Sequence, residues 1–269
     1  MFTVGTIEQM LFAAYPAEDA QEGDRIGLLV GDRSAGVTRI AVALDQTVPM
    51  VEAAAQAGCN LLVTHHPAFW LAPTSFESAA SAATADGAVV YAAARRGVAL
   101  LTMHTNLDSA PSAASMLLAP VGLEFVETLQ KTDPALLGQI ARPINPLSLD
   151  ELARNYQRAF GRVAKVWGNP AQEIARVAVC SGGAGEVIPD VLAAGVDCFV
   201  TGEVRHHEEL YLADEGIALI ELGHDISELP YRFELEKTLV AGGFSPEGIV
   251  ILDPSATWWQ VHGDGDRQS

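Results

Sequence analysis

The chain has 269 residues, 49% of them apolar, and 34 acidic against 16 basic side chains give it a net charge of −18. That length buries one large core or two smaller ones, and no apolar run approaches the ~20 residues of a membrane-spanning helix. The carboxylate excess leaves no basic stripe to bind a nucleic-acid backbone, although a local cationic loop would still accept a phosphorylated small molecule.

Thr6-Ile7-Glu8-Gln9 has capping-box spacing and opens a first predicted helix that stops before Pro16. A strand over 39–45 follows, then an alanine-rich helix over 49–57 stopped by Gly58, a strand over 60–64, a helix over 86–96 stopped by Gly97, and a strand over 98–103. Segment 129–147, with Pro134, Pro143 and Pro146, is the candidate crossing between halves. Ser148-Leu149-Asp150-Glu151 is a second capping box, opening a helix that ends at Gly161. Strand 176–181, helix 186–194, strand 197–201, helix 204–213 and strand 217–222 come next, then a helix over 228–241 and a strand over 248–252. The tail from His262 to Ser269 is expected to fray. Strands separated by helices of ten or so residues mean an α/β fold with a largely parallel sheet covered on both faces.

Two halves of this order read as copies. Residues 39–44 match 176–181 at an offset of 137, and the run 57–64 matches 194–201 at the same offset (194 against 57). Residues 97–101 match 216–220 at an offset of 119, so the second copy is 18 residues shorter in the loop after Pro67. An internal duplication is expected, with a first domain over 1–128 and 229–269 and a second over 129–228. The N-terminus carries Glu8 and lacks the basic region of a signal peptide. Cys59, Cys180 and Cys198 sit in or beside apolar runs without C-x-x-C spacing, as buried thiols in a reducing cytoplasm would.

In parallel α/β sheets ligands collect at the carboxyl ends of strands. Four polar clusters fall there: His65-His66, His104 to Asp108, Glu203 with His206-His207, and His224 to Glu228. Asp45 also ends a strand, where it either joins the site or caps the next helix. His206 and His207 suit surface duty as well as ligation. Adjacent His65 and His66 diverge in extended chain, so each can face a different ion, and imidazole with carboxylate but no thiolate suits Zn, Mn, Fe or Ni. Two such ions ~3.5–4 Å apart clamp a phosphate or share a hydroxide nucleophile. Gly182, Gly183 and Gly185 follow a strand, either as a phosphate-cradling loop near substrate or as a tight turn. They lack both G-x-G-x-x-G and the Walker lysine.

With Gly27-Leu28-Leu29-Val30-Gly31, Leu44-Asp45-Gln46-Thr47, Thr64-His65-His66-Pro67, His104-Thr105-Asn106-Leu107-Asp108, Cys180 to Gly185, Asp197 to Glu203 and Gly223 to Glu228 in this order, the chain resembles the dinuclear-metal family named for NGG-interacting factor three. Many of its members carry the label GTP cyclohydrolase type 2 homolog. The resemblance implies two similar, intertwined three-layer α/β/α domains, with two divalent metal ions between them held by His65, His66, Asp108, His224 and Glu228. It makes Asp108 and Glu228 the bridges, puts His104 close by as acid–base or supporting residue, and implies a ring-like homohexamer. The chain is of the short type, without the domain inserted in longer members. It departs from the family at Arg25, where asparagine is usual, and lacks the lysine often found in the loop after Pro67. The implied function is a metal-dependent hydrolase of a nucleotide or other phosphorylated small molecule. A non-catalytic metal-binding scaffold, metal carrier or regulatory partner is the alternative. Opening a purine ring requires guanine recognition, for which the sequence encodes no pocket.

Overall fold

A computed structural model describes residues 1–78, 85–130 and 136–254. In chain order its elements are α1 (Val4–Ala14), β1 (Gly27–Val30), β2 (Ile40–Ala43), α2 (Val48–Gln56), β3 (Leu61–Thr64), α3 (Ala85–Arg96), β4 (Ala99–Thr102), α4 (Thr105–Asp108), α5 (Pro111–Leu118), β5 (Leu123–Thr128), β6 (Gln139–Pro143) and β7 (Leu147–Ser148). The chain continues through α6 (Leu149–Phe160), β8 (Lys165–Trp167), β9 (Glu173–Ile174), β10 (Val177–Gly183), α7 (Ile188–Ala193), β11 (Cys198–Glu203), α8 (His206–Asp214), β12 (Ala218–Glu221), α9 (His224–Glu228), α10 (Tyr231–Ala241) and β13 (Ile249–Ile251). The tail from His262, and residues 131–135 of the expected crossing segment, lie outside the described residues.

Every side chain of β2, β3 and β4 is buried, which requires cover on both faces of their sheet. Alternate residues divide between two cores. Ile40, Val42, Leu61, Val63 and Leu101 pack with Ile7, Leu11, Leu235 and Leu239 of α1 and α10, whereas Ala41, Ala43, Leu62 and Leu100 pack with Val51, Ala54, Val89 and Ala93 of α2 and α3. The sheet order is β1-β4-β3-β2-β13, with β1 the antiparallel member. The second sheet, β5-β6-β10-β11-β12-β8, has parallel β10, β11 and β12 at its centre. Val177, Val179, Val200 and Ile220 face α6 through Leu149, Leu152 and Tyr156. Ala178, Phe199 and Leu219 face α7 and α8 through Val191 and Leu212.

Several local expectations shift. The first capping box lies one turn earlier: Thr3 accepts from the Thr6 N–H, and Thr6 Oγ1 accepts from the Thr3 N–H at 2.8 Å. Glu8, in the second turn of α1, has its carboxylate take Arg33 Nε at 2.6 Å and the Leu28 N–H at 2.9 Å. The predicted helix over 228–241 starts later, at Tyr231: Glu228 ends the short helix α9, and Pro230, which cannot donate to the ladder, caps α10. The crossing segment contains a strand, β6, and β5 hydrogen-bonds to it at one edge of the second sheet. The second sheet is also less parallel than expected, since β5, β6 and β8 all run antiparallel to their neighbours.

Candidate metal centre

The carboxyl ends of the two sets of parallel strands meet. β3 delivers His65 and His66, and β4 delivers His104 and, one turn into α4, Asp108. β10 delivers Ser181, and β12 leads through Gly223 into α9, whose first and last residues are His224 and Glu228. Short helices thus carry Asp108, His224 and Glu228, and His65 and His66 occupy the bend directly after β3.

Four imidazoles share one orientation rule: each has Nδ1 engaged away from the centre. His65 Nδ1 lies 3.1 Å from the Met103 carbonyl. A carbonyl only accepts, so Nδ1 carries the proton and Nε2 presents a lone pair. His66 Nδ1 is 2.8 Å from Asp45 Oδ1, His104 Nδ1 is 2.9 Å from Asp24 Oδ1, and His224 Nδ1 is 3.0 Å from Glu203 Oε1. Carboxylate or carbonyl acceptors behind the imidazoles are what fixes the tautomer and ring direction of metal-ligating histidines.

The opposite nitrogens converge with two carboxylates. His65 Nε2 stands 3.5 Å from Glu228 Oε1 and 3.7 Å from Asp108 Oδ1. Glu228 Oε2 is 2.9 Å from His66 Nε2 and 3.3 Å from His224 Nε2. Yet His65 Nε2 and Glu228 Oε2 are fully buried and neither has an aligned hydrogen-bond partner. Orphaned buried polar atoms of this kind are costly. Lone pairs aimed at a common point rather than at one another suit a cation between them. Three sets, His65/His66/His104, His66/His224/Glu228 and His65/Asp108/Glu228, each gather their ligand atoms within 4.8 Å.

The imidazoles and carboxylates also act on one another through their charges. Burial lowers the proton affinity of His66, but its hydrogen bond to Asp45 and the facing Glu228 carboxylate outweigh that and raise its pKa to about 10. Glu228 raises His224 to about 9. Burial would raise the Glu228 carboxyl, but the facing rings of His65, His224 and His66 hold it well below its ordinary range. Burial raises Asp108, whose Oδ1 also accepts from the Ser181 hydroxyl at 3.3 Å.

The glycines behave differently from one another. β10 runs on through Gly183, and a 3-10 turn over Gly185–Val187 precedes α7, so the run does not open directly onto a helix. Gly182 lies behind Glu228, Gly183 lines the cavity beside the centre, and Gly185 packs against Glu208. That cavity, of about 230 Å³, is also lined by Gln21, Trp70, Glu186 and Tyr231, and among the described residues no lysine or arginine lines it.

Asp45 does not cap α2, since Thr47 does so. His206 and His207 start α8, His206 being paired with Glu209 at 2.8 Å, and neither joins the converging groups among the described residues. Sequence reasoning missed Asp24, Trp70 and Tyr231. Asp24 lies 80 residues from the histidine it holds, and no local spacing signals such a pair.

A sequence model of the Duf34/NIF3 (NGG1p interacting factor 3) family matches residues 2–251. A Streptomyces coelicolor protein called GTP cyclohydrolase 1 type 2 homolog is 34% identical over 82% of this chain and 80% of its own length. Among solved structures, a Bacillus cereus protein related to NIF3 superposes with a TM-score of 0.85 at 18% identity, covering 96% of this chain and 99% of that one. The Staphylococcus aureus protein SA1388 superposes with a TM-score of 0.83 at 24% identity, covering 97% and 99%. These two show a shared mixed α/β fold.

Proposed function

This chain belongs to the Duf34/NIF3 (NGG1p interacting factor 3) family, and from that premise we propose that it binds two divalent metal ions between its sheets and is a metal-dependent hydrolase of a nucleotide or other phosphorylated small molecule. The observation that carries the metal reading is the buried pair of orphaned atoms, His65 Nε2 and Glu228 Oε2. His65, His66, Asp108, His224 and Glu228 are the proposed ligands, with Asp108 and Glu228 shared between ions. The nitrogen and oxygen donors suit Zn, Mn, Fe or Ni. Such ions polarise a phosphoryl or carbonyl oxygen and lower the pKa of water.

The chain's own residues supply the rest. His104, oriented by Asp24, faces the cavity as a proton acceptor, and Gly183 lets substrate approach the carboxyl end of β10 closely. The two similar α/β halves are read as a duplication, each a sheet between helical layers. The apolar side chains of Phe125, Val126 and Ile144, exposed beside the β5 edge, support assembly of copies into the hexamer proposed for this family type. Light scattering on the purified protein tests that assembly.

One observation favours a second reading. A cavity lined by carboxylates and histidines, with no lysine or arginine among the described residues, holds a phosphate only through the metals, which suits a metal carrier or scaffold equally well.

Metal content per chain by plasma mass spectrometry, in wild type beside His65→Ala and Glu228→Ala, tests the centre. About two ions per chain, reduced in both variants, is the expected result. No metal after reloading with Zn, Mn, Fe or Ni would sink it. Phosphodiester or nucleotide turnover that disappears in Asp108→Ala with the assembly intact would select the hydrolase over the carrier.

A further inference from the structure

Asp24 is the most completely satisfied carboxylate near the centre, and it belongs to no ligand set. Its side chain is 3% exposed. His104 Nδ1 lies 2.9 Å from Oδ1 and 3.0 Å from Oδ2, the Thr105 N–H donates to Oδ2 at 3.0 Å, the Thr105 hydroxyl donates to the same oxygen, and the Arg25 N–H donates to Oδ1 at 2.6 Å. The Thr105 hydroxyl in turn accepts from the Gln21 N–H at 2.9 Å. The loop before β1 is thereby pinned to the first residue of α4, the helix whose last residue is Asp108.

On its other side His104 meets the Trp70 indole, edge to face with ring centroids 5.0 Å apart. The Trp70 carbonyl accepts from Arg25 Nε at 2.9 Å. Arg25 therefore links the two walls that enclose the imidazole. With Nδ1 bound to an acceptor-only carboxylate, the neutral ring carries its proton there and its lone pair on Nε2. His65, His66 and His104 place ring nitrogens within 4.8 Å of one another, and the Nδ1 atoms of all three are engaged elsewhere.

We propose that Asp24 is a positioning residue of the centre, holding His104 in the Nδ1–H tautomer so that its Nε2 lone pair faces the point on which the rings of His65 and His66 also converge. His104 then serves the centre as an electron-pair donor. In its neutral form it cannot donate a proton into the cavity. The proposal deepens the metal reading and rests on it for affinity, but the tautomer is a property of the metal-free protein.

Two readouts separate these. In the metal-free protein, long-range proton–nitrogen correlation of the histidine rings, with His104→Ala to assign the signal, is expected to show His104 protonated on Nδ1. In Asp24→Asn the amide presents a donor to the ring and the proton moves to Nε2, as when a carboxylate behind a catalytic histidine is made an amide. Zinc affinity, measured by competition with a chromophoric chelator, is expected to fall about 10–100-fold in Asp24→Asn. It should fall no further when the same change is made in the His104→Ala background. Asp24→Glu, which restores a carboxylate, should recover the Nδ1–H signature. An unchanged tautomer in Asp24→Asn, or an affinity loss that persists in full without His104, overturns the proposal. If wild type holds no zinc, the metal reading fails, and the tautomer measurement still decides the role of Asp24.

Discussion

Gly182 and Glu228 are fitted to each other at the junction of the two sheets. Gly182 adopts φ +62°, and a Cβ built on it would lie 2.2 Å from Glu228 Oε1. Its N–H donates to Ser227 Oγ at 2.9 Å, so α9 is seated directly on the backbone of β10. A similar approach occurs at Gly202, where a Cβ would lie 2.4 Å from the Gly182 carbonyl oxygen. Glycine at these positions sets how near a carboxylate can come to the centre.

Gly182→Ala is therefore expected to lose more stability than backbone strain alone explains. Overpacking costs about 1–3 kcal/mol, and the left-handed conformation adds about 1 kcal/mol for a residue with a side chain. Gly97→Ala is the control, because Gly97 has φ +66° but no atom within 4 Å of its added Cβ. Denaturant melts of both variants should differ by the contact with Glu228, and metal content should fall in Gly182→Ala only.

Metal loading should stabilise the fold. At a free concentration 100 times its dissociation constant, a ligand that binds only the folded state contributes about 2.7 kcal/mol. Scanning calorimetry with chelator and then with zinc or manganese should show a rise in Tm for wild type. That rise should be lost in Glu228→Gln, where the buried carboxylate is neutral.

Ser181 and Tyr231 make an asymmetric pair. The Tyr231 hydroxyl is 2.7 Å from Ser181 Oγ, which donates to Asp108, and Tyr231 is 1% exposed. Tyr231→Phe leaves Ser181 its carboxylate partner and should cost about 0.5–1.5 kcal/mol. Ser181→Ala strands a buried phenol and should cost more, about 1–3 kcal/mol. Urea denaturation of the two single variants and the double variant checks the order, with the double variant less damaged than the sum.

Glu8 gives a pH signature away from the centre. Burial works to raise its pKa, but the hydrogen bonds from Arg33 and the Leu28 N–H bring it below its ordinary value of 4.5. A depressed carboxyl contributes stability above its unfolded pKa and loses it as pH falls through the lower, folded one. Wild type should then melt above Glu8→Gln at pH 7, with the gap closing as pH is lowered below 4.5. A gap independent of pH would mean that the side chain acts by packing alone.

Much of the framework is written locally. The runs that became β2, β3, β4, β10, β11 and β12 were legible because strands buried on both faces must be apolar throughout, and the helices between them carry their own caps and glycine stops. His65 and His66 stood out for closing such a run. The edge strands β1, β5 and β8 were hidden, since half-exposed residues such as those of Glu124–Val126 carry little pattern. The later start at Tyr231 was missed because Pro230 serves as the cap of α10, where a missing N–H costs nothing. The pairs behind the centre could not be read at all. Asp24 meets His104, Asp45 meets His66 and Glu203 meets His224 across 80, 21 and 21 positions. Composition and periodicity place polar residues at strand ends. Which nitrogen faces the centre depends on a second side chain brought from elsewhere, and only the packing of the sheets supplies it.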